Sequence, residues 1–121
     1  MASSDRDPQA LLPLTPALFH VLLALVDGEK HGYAILKEIV RRTDGEVRLS
    51  TGTLYGIIRR LEGDGLITES KERPEPSLDD ERRRYYRLTD FGRRVAAAEA
   101  ERLKALVAAA RAKRLFGLEG A

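Results

Sequence analysis

The sequence predicts a mainly α-helical fold that carries a two-stranded β-wing, and three patterns in the chain predict it. Residues 14–66 repeat apolar side chains with the period of amphipathic helices, broken by short turn sequences. Residues 66–73 and 82–88 instead have the composition of strands, and a loop with two prolines separates them. Residues 90–115 return to the helical period and would form a rod of about 40 Å. At 121 residues the chain fits a single domain.

The charge of the chain is nearly balanced. There are 21 Lys and Arg against 19 Asp and Glu, which gives a net charge of +2. Residues 82–94 hold six arginines and one acid, whereas residues 72–81 hold five acids and one arginine. The distribution of charge, and not its sum, must therefore carry any argument about an anionic partner.

Composition excludes several classes of function. The chain has no Cys, which excludes a disulfide framework, a thiolate metal site and thiol redox sensing. His20 and His31 lack the spacing of metal ligands, so we expect neither a metal nor a cofactor. We find no Ser-His-Asp arrangement and no phosphate-binding loop, and therefore expect no enzyme. No apolar segment is long enough to span a bilayer, so we expect a cytoplasmic protein without membrane contact.

The N-terminal region predicts an arm followed by a buried helix. Residues 1–13 are small, polar and interrupted by two prolines, which is typical of a flexible arm. Thr15 then supplies a capping hydroxyl, and Pro16 occupies the first helical position. The helix that follows is apolar nearly all round, so it must be buried against more than one neighbour. Asp27 and Gly28 end it.

Two further helices form a helix-turn-helix pattern. The second helix begins near residues 31–33, and a short connection at 44–49 leads to Ser50, a good N-cap for the third helix. The third helix turns Leu54, Ile57, Ile58 and Leu61 inward. Its opposite face carries Gly52, Gly56 and Arg59, flanked by Thr53, Tyr55 and Arg60.

The outward glycines are the most informative feature of the third helix. Gly52 and Gly56 each cost about 1 kcal/mol relative to alanine in a helix interior. Two such residues on one face indicate that something approaches the helix closely, and the nearby hydroxyls and arginines suit phosphate groups and base edges. The alternative is a core-packing helix with a tolerant polar face.

The wing and the last helix complete the predicted architecture. In the second strand, Tyr86 and Leu88 fall on one face, and we expect both to point inward. Thr89 caps the final helix, whose apolar stripe is too long for its own domain to cover and therefore predicts a partner chain. The predicted organisation is a flexible arm at 1–13, a winged helix-turn-helix at 14–88, a dimerisation helix at 89–116 and a tail at 117–121.

Three motifs make the chain resemble the PadR family of bacterial transcriptional regulators, in its short form. They are HGYAI at 31–35, LSTGTLYGIIRRLEGDGLI at 49–67 and YYRLTDFG at 85–92. The resemblance implies a homodimeric winged-helix repressor whose recognition helix enters the major groove of a roughly palindromic operator, while the wing touches the flanking backbone. It also implies, for some members, a small-molecule effector that releases the DNA. Gly56 replaces the proline usual in the family, and the acidic residues at 75–81 move the expected backbone contact from the wing tip to the arginines at its base.

The residues expected at the DNA follow from these motifs and from the outward face of the third helix. They are Tyr33, Ser50, Thr51, Thr53, Tyr55, Arg59, Arg60, Arg82, Arg83 and Arg84. Three of them have structural alternatives: capping for Ser50, packing on the second helix for Tyr55, and closure of the core for Tyr33. The arginines of the third helix could be solvated, and those of the wing could pair with the acids at 79–81.

The residues expected at the dimer interface come from the first and last helices. They are Leu18, Phe19, Leu22, Val95, Leu103, Leu106, Val107 and Ala110. Together these predictions favour a sequence-specific DNA-binding transcriptional regulator. The alternative is a winged helix that serves protein interaction through its long helix, without specific DNA binding.

Overall fold

A computed structural model describes residues 6–70 and 84–117, and within these ranges the chain forms one 3-10 helix, four α-helices and three short strands. The 3-10 helix is Pro8–Leu11, and the other elements are α1 (Pro16–Leu25), β1 (Lys30–His31), α2 (Gly32–Arg42), α3 (Thr51–Gly63), β2 (Ile67–Glu69), β3 (Tyr85–Leu88) and α4 (Asp90–Ala112). The strands form an antiparallel sheet in the order β1-β3-β2. A mainly helical chain with a small wing sheet confirms the predicted fold class. No helix in the described part of the chain is long and apolar enough to cross a membrane.

Hydroxyl caps start three of the helices at the predicted residues. Thr15, Ser50 and Thr89 each accept a hydrogen bond from the backbone amide three residues ahead, at 3.2, 3.0 and 2.9 Å. Such caps satisfy amides that have no partner within the helix and contribute about 1 kcal/mol each. At the end of α3, Gly65 adopts a φ of +77°, which favours glycine.

The first helix lies at the centre of the core. α1 packs against α2, α3, α4 and β3, and Val21, Leu22 and Ala24 are fully buried in it. This burial against several elements confirms the reading of its apolar surface. Tyr86 and Leu88 of β3 also point inward, as predicted.

Strand β1 was not predicted. Its two residues pair with the wing, Lys30 opposite Tyr86 and His31 opposite Tyr85, and two residues are too few to show a period in sequence. The described parts of the other strands are also shorter than predicted, at three residues for β2 and four for β3. Residues 71–83, which include the whole predicted loop and the adjoining ends of both predicted strands, lie outside the described residues.

The predicted flexible arm is wrong for residues 6–13. Their 3-10 helix is capped by the carboxylate of Asp7, which accepts from the Gln9 amide at 2.9 Å. Leu11 and Leu12 pack against the core, and the guanidinium of Arg6 lies 4.0 Å from the centroid of the Phe91 ring. Partly buried leucines and a cation–π contact hold this segment on the domain.

The end of α3 and the start of α4 meet at a tight junction. The Thr89 hydroxyl donates to the carbonyl of Gly65 at 2.6 Å, and the Thr89 amide donates to the carbonyl of Leu66 at 3.0 Å. A Cβ atom on Gly92 would collide with that same Leu66 carbonyl. Only glycine therefore lets the first turn of α4 rest on the corner between α3 and β2.

A buried carboxylate ties α4 to the start of α1. Glu99 is only 2% exposed, and it accepts from the Leu14 amide at 3.1 Å and from two Arg102 nitrogens at 2.6 and 3.0 Å. The Arg102 hydrogen bonds, helped by the Leu14 amide, lower the pKa of Glu99 below its ordinary value of 4.5. Nothing in the periodicity of the sequence singles out this residue.

Replacing Gly92 by alanine should destabilise the protein, because the new Cβ must displace the Leu66 backbone. We expect the free energy of unfolding to fall by about 1–3 kcal/mol in urea titrations. Gly63→Ala is the control, since a Cβ there meets no atom within 4 Å. It should leave stability unchanged or raise it by up to about 1 kcal/mol. If Gly92→Ala and Gly63→Ala changed the free energy of unfolding equally, the contact between Gly92 and the Leu66 carbonyl would not be tight.

Glu99 should also make the free energy of unfolding depend on pH. Because its folded pKa is lowered, its contribution is fully present above the unfolded value and is lost as the pH falls through the folded pKa. The stability advantage of the wild type over Glu99→Gln should therefore be constant near neutrality and shrink below about pH 4.5. Urea titrations at pH 7, 5 and 3 test this. An advantage over Glu99→Gln that is as large at pH 3 as at pH 7 would show that the charged form of Glu99 is not favoured in the folded protein.

Candidate nucleic-acid interface

The outward face of α3 is set by the side that packs into the core. Leu54, Ile58 and Leu61 are each at most 1% exposed, and this anchors the rotation of the helix about its axis. The opposite side, formed by Thr51, Gly52, Thr53, Arg59 and Arg60, is exposed. The helix thus presents the face that the sequence predicts.

The two outward glycines of α3 have no packing role inside the described chain. A Cβ atom on Gly52 or Gly56 would meet no described atom within 4 Å. Gly32 and Gly92 are different, because a Cβ on either would strike a neighbouring element. The glycines of α3 therefore leave the helix backbone open to a partner from outside the chain.

Ser50 acts as the cap of α3. Its Oγ accepts from the Thr53 amide at 3.0 Å and donates to Thr53 Oγ1 at 2.9 Å. The capping alternative is therefore correct for Ser50, and its second bond orients the Thr53 hydroxyl. Thr51 lies beside them with its side chain exposed.

Tyr55 packs on α2 and also borders the outward face. A Cβ placed on Gly32 would lie 2.6 Å from the Tyr55 hydroxyl oxygen, so the absence of a side chain at Gly32 makes room for the ring. The packing alternative is therefore correct for one side of Tyr55. The half-buried ring remains a wall of the cleft between α3 and the wing.

This cleft between α3 and β3 brings several predicted site residues together. It has a volume of about 420 Å³ and is lined by Thr51, Tyr55, Ile58, Arg59, Glu62, Arg84 and Tyr86. Arg84 Nε lies 3.8 Å from Glu69 Oε2 across the wing. Because both side chains are well exposed, this ion pair adds little to the free energy of unfolding. Arg60 instead lines a small pocket with Leu11 and Asp64, away from the cleft. Arg82 and Arg83 lie outside the described residues.

Tyr33 does not close the core, because it is 65% exposed. Its ring is nearly parallel to that of His31, with centroids 6.4 Å apart, and Lys37 Nζ lies 5.4 Å from the Tyr33 centroid. His31 itself caps α2 by accepting from the Ala34 amide at 3.2 Å. Lys37 is not among the site residues predicted from sequence, although its i, i+4 spacing from Tyr33 places both on one face of a helix.

The predicted dimer residues fall into two groups. Leu18, Leu22 and Val95 are at most 6% exposed within a single chain, so they have no surface left for a partner. The prediction that these three residues lie at the dimer interface is corrected accordingly. Phe19 is partly buried and packs against the same core. The remaining four lie beyond the buried first half of α4, with Leu106 at 55% and Val107 at 44% exposure and Leu103 and Ala110 partly exposed. We call these four residues the α4 stripe.

Comparison with known proteins gives consistent matches. The profile of the transcriptional regulator PadR-like family matches residues 21–98. The Mycobacterium tuberculosis transcriptional regulator Rv3488 is 40% identical over 74 residues, which are 61% of this chain and 63% of that protein's length. The match therefore spans less than two thirds of this relative.

Solved structures share the fold. A PadR family transcription regulator from Clostridium difficile R20291 superposes with a TM-score of 0.65 at 26% identity, covering 78% of this chain and 93% of that one. Bacillus subtilis PadR in complex with operator DNA gives a TM-score of 0.58 at 22% identity, and the match covers 71% of this chain and 47% of that one. At that identity the second likeness shows the fold alone.

Proposed function

Since the chain belongs to the PadR-like family of transcriptional regulators, whose members are not enzymes, we propose that it is a homodimeric repressor that reads operator DNA with α3. In this proposal the protein acts in the cytoplasm on a roughly palindromic operator. Repression follows from occupancy of that site.

The observation that carries the proposal is the pair of open glycines on α3. Gly52 and Gly56 weaken the helix by about 1 kcal/mol each, and no described contact within the chain requires them. The major groove of B-DNA admits an α-helix, and a helix face without Cβ atoms can approach base edges most closely. The open backbone of α3 is suited to that position.

Phosphate contacts would come from the groups around the cleft. Arg59 and Arg84 line it together with Thr51. Thr51 is the first residue of α3, Arg59 lies about two turns further along the helix, and Arg84 is at the base of the wing. Arginines, hydroxyls and free amides at a helix N-terminus are the usual ligands of DNA phosphates. Bacillus subtilis PadR, which shares this fold, has been solved with operator DNA, and this supports the same mode here.

Dimerisation would bury the α4 stripe against a second copy. Its residues 103, 106, 107 and 110 recur with helical spacing on the half of α4 that does not pack on its own domain. Two copies joined in this way would present two α3 helices to successive major grooves, about 34–36 Å apart. A small-molecule effector would act by changing the angle between the protomers, so that only one conformation fits that spacing.

Gly56→Ala should separate folding from DNA binding. The added methyl group should raise the free energy of unfolding by up to about 1 kcal/mol, because it meets no atom of the described chain. It should also weaken binding roughly 10-fold by holding α3 away from the base edges. The measurement is a fluorescence titration against duplex DNA selected by the wild-type protein from a random library.

Gly63→Ala is the matched control, because Gly63 is also an open glycine in α3 but lies at its C-terminal end. It should bind DNA like the wild type. Unchanged affinity in Gly56→Ala would contradict the proposed reading face. Failure of the wild type to select any sequence would instead favour a winged helix that serves protein interaction.

Leu106→Asp should give monomers, because it places a charge in the proposed dimer contact. Sedimentation velocity should show half the wild-type mass, and tight operator binding should be lost with it. Ala108→Asp is the control, since it adds the same charge about 200° around the helix from Leu106. A Leu106→Asp protein that remains dimeric would place the interface elsewhere.

A further inference from the structure

The cations of α2 and the turn before it fall into two electrostatic classes. On the side that faces α1, Lys30 Nζ lies 2.7 Å from Asp27 and 3.5 Å from Glu38. Arg42 lies 3.3 Å from Glu38 and also donates to the backbone carbonyl of His20 at 3.2 Å. These cations are neutralised within the chain and offer little charge to a partner.

Lys37 belongs to the other class. It is exposed on another side of α2, about 100° around the helix from Glu38 and about 140° from Arg42. Within the described residues its ammonium group makes no ion pair with a carboxylate. Its contact is with the Tyr33 ring, whose centroid lies 5.4 Å from Nζ. The face of an aromatic ring attracts a cation without neutralising its charge, so the full positive charge remains available.

The Tyr33 ring is held in place by its neighbours. It lies nearly parallel to His31, at an interplanar angle of 5°. The His31 ring is fixed in turn by its cap to Ala34 and by an edge-to-face contact with Tyr85 of the wing, at a centroid distance of 5.3 Å. The Tyr33 side chain is 65% exposed, but its contact with the His31 ring limits its movement. The Tyr33 ring can therefore hold the Lys37 side chain close to the protein surface.

This surface adjoins the proposed reading face. Gly32, the residue before Tyr33, accommodates the hydroxyl of Tyr55, and Tyr55 is also a wall of the cleft that Arg59 and Arg84 line. Lys37 lies one turn of α2 beyond Tyr33, and Tyr33 directly follows the residue that touches α3.

We propose that Lys37, supported by the Tyr33 ring, is a further DNA-backbone contact that neutralises one phosphate beside the recognised bases. The inference rests on the proposed function and adds Lys37 to the contacts expected from α2, α3 and the wing. An ammonium group on a flexible stem acts as a point charge towards phosphate. Such a contact fixes the position of the protein on the duplex without reading sequence.

The test is the salt dependence of DNA binding by Lys37→Gln, from 0.1 to 0.5 M NaCl. We use two duplexes of equal length, one selected by the wild type from a random library and one unrelated. Losing one phosphate contact should reduce the slope of log K against log salt by about 0.9. This corresponds to roughly an 8-fold loss of affinity at 0.1 M that fades as salt approaches 1 M. Both duplexes should lose affinity by the same factor.

Four companion variants serve as controls. Lys37→Arg keeps the charge and should restore the wild-type slope. Lys104→Gln removes an exposed lysine from α4, at the same cost in net charge, and should leave the slope unchanged. Tyr33→Phe keeps the ring and the Lys37 contact, so it should keep the wild-type slope. Tyr33→Leu removes the ring, and its slope should shift towards that of Lys37→Gln.

The outcomes separate this inference from the proposed function. A wild-type slope in Lys37→Gln, together with weakened binding in Gly56→Ala, would overturn the role of Lys37 and leave the proposed reading face intact. An equal change of slope in Lys37→Gln and Lys104→Gln would also overturn it, because net charge alone would then explain the effect. Absence of any salt-dependent DNA binding by the wild type would overturn both proposals.

Discussion

The structure depends on the close approach of α4 to the carbonyl of Leu66. Gly92 makes that approach sterically allowed, and Thr89 fixes it by bonding the carbonyls of Gly65 and Leu66. Because Leu66 joins α3 to β2, one contact sets the positions of α3, the wing and α4 together. The core packing of α3 then fixes its rotation, and the outward face follows from the two constraints.

Much of the fold could be predicted from sequence because it follows local rules. Thr15, Ser50 and Thr89 are hydroxyl residues directly before helical periods, and each one caps a helix. Long amphipathic segments have a clear period, so α1 to α4 were found with nearly correct limits. Strand β1 could not be found in this way, since Lys30 and His31 gain their strand character only by pairing with the wing.

The predictions that failed concern which partner covers an apolar residue. Leu22 and Val95 have the same apolar pattern as the exposed α4 stripe, but the domain itself encloses them. Periodicity alone cannot distinguish burial within one chain from burial against a second chain. The N-terminal segment failed for a related reason: its small and polar composition hides Leu11 and Leu12, which pack on the core. The outward face of α3 was predictable because it is defined by what the helix does not bury. Its individual contacts stay predictions.

The same junction explains how pairing of two chains could govern the proposed DNA contact. α4 is held on its own domain at two points, by Gly92 at Leu66 and by Glu99 at the Leu14 amide. Leu106 lies about 21 Å beyond Gly92, since an α-helix rises about 1.5 Å per residue. A rotation of roughly 5° about the junction would move Leu106 by about 2 Å over that length. In the proposed dimer, the angle at which two α4 helices cross therefore determines the separation and tilt of the two α3 helices. The junction at Gly92 cannot yield without moving α3, because a shift of α4 there must displace the Leu66 backbone.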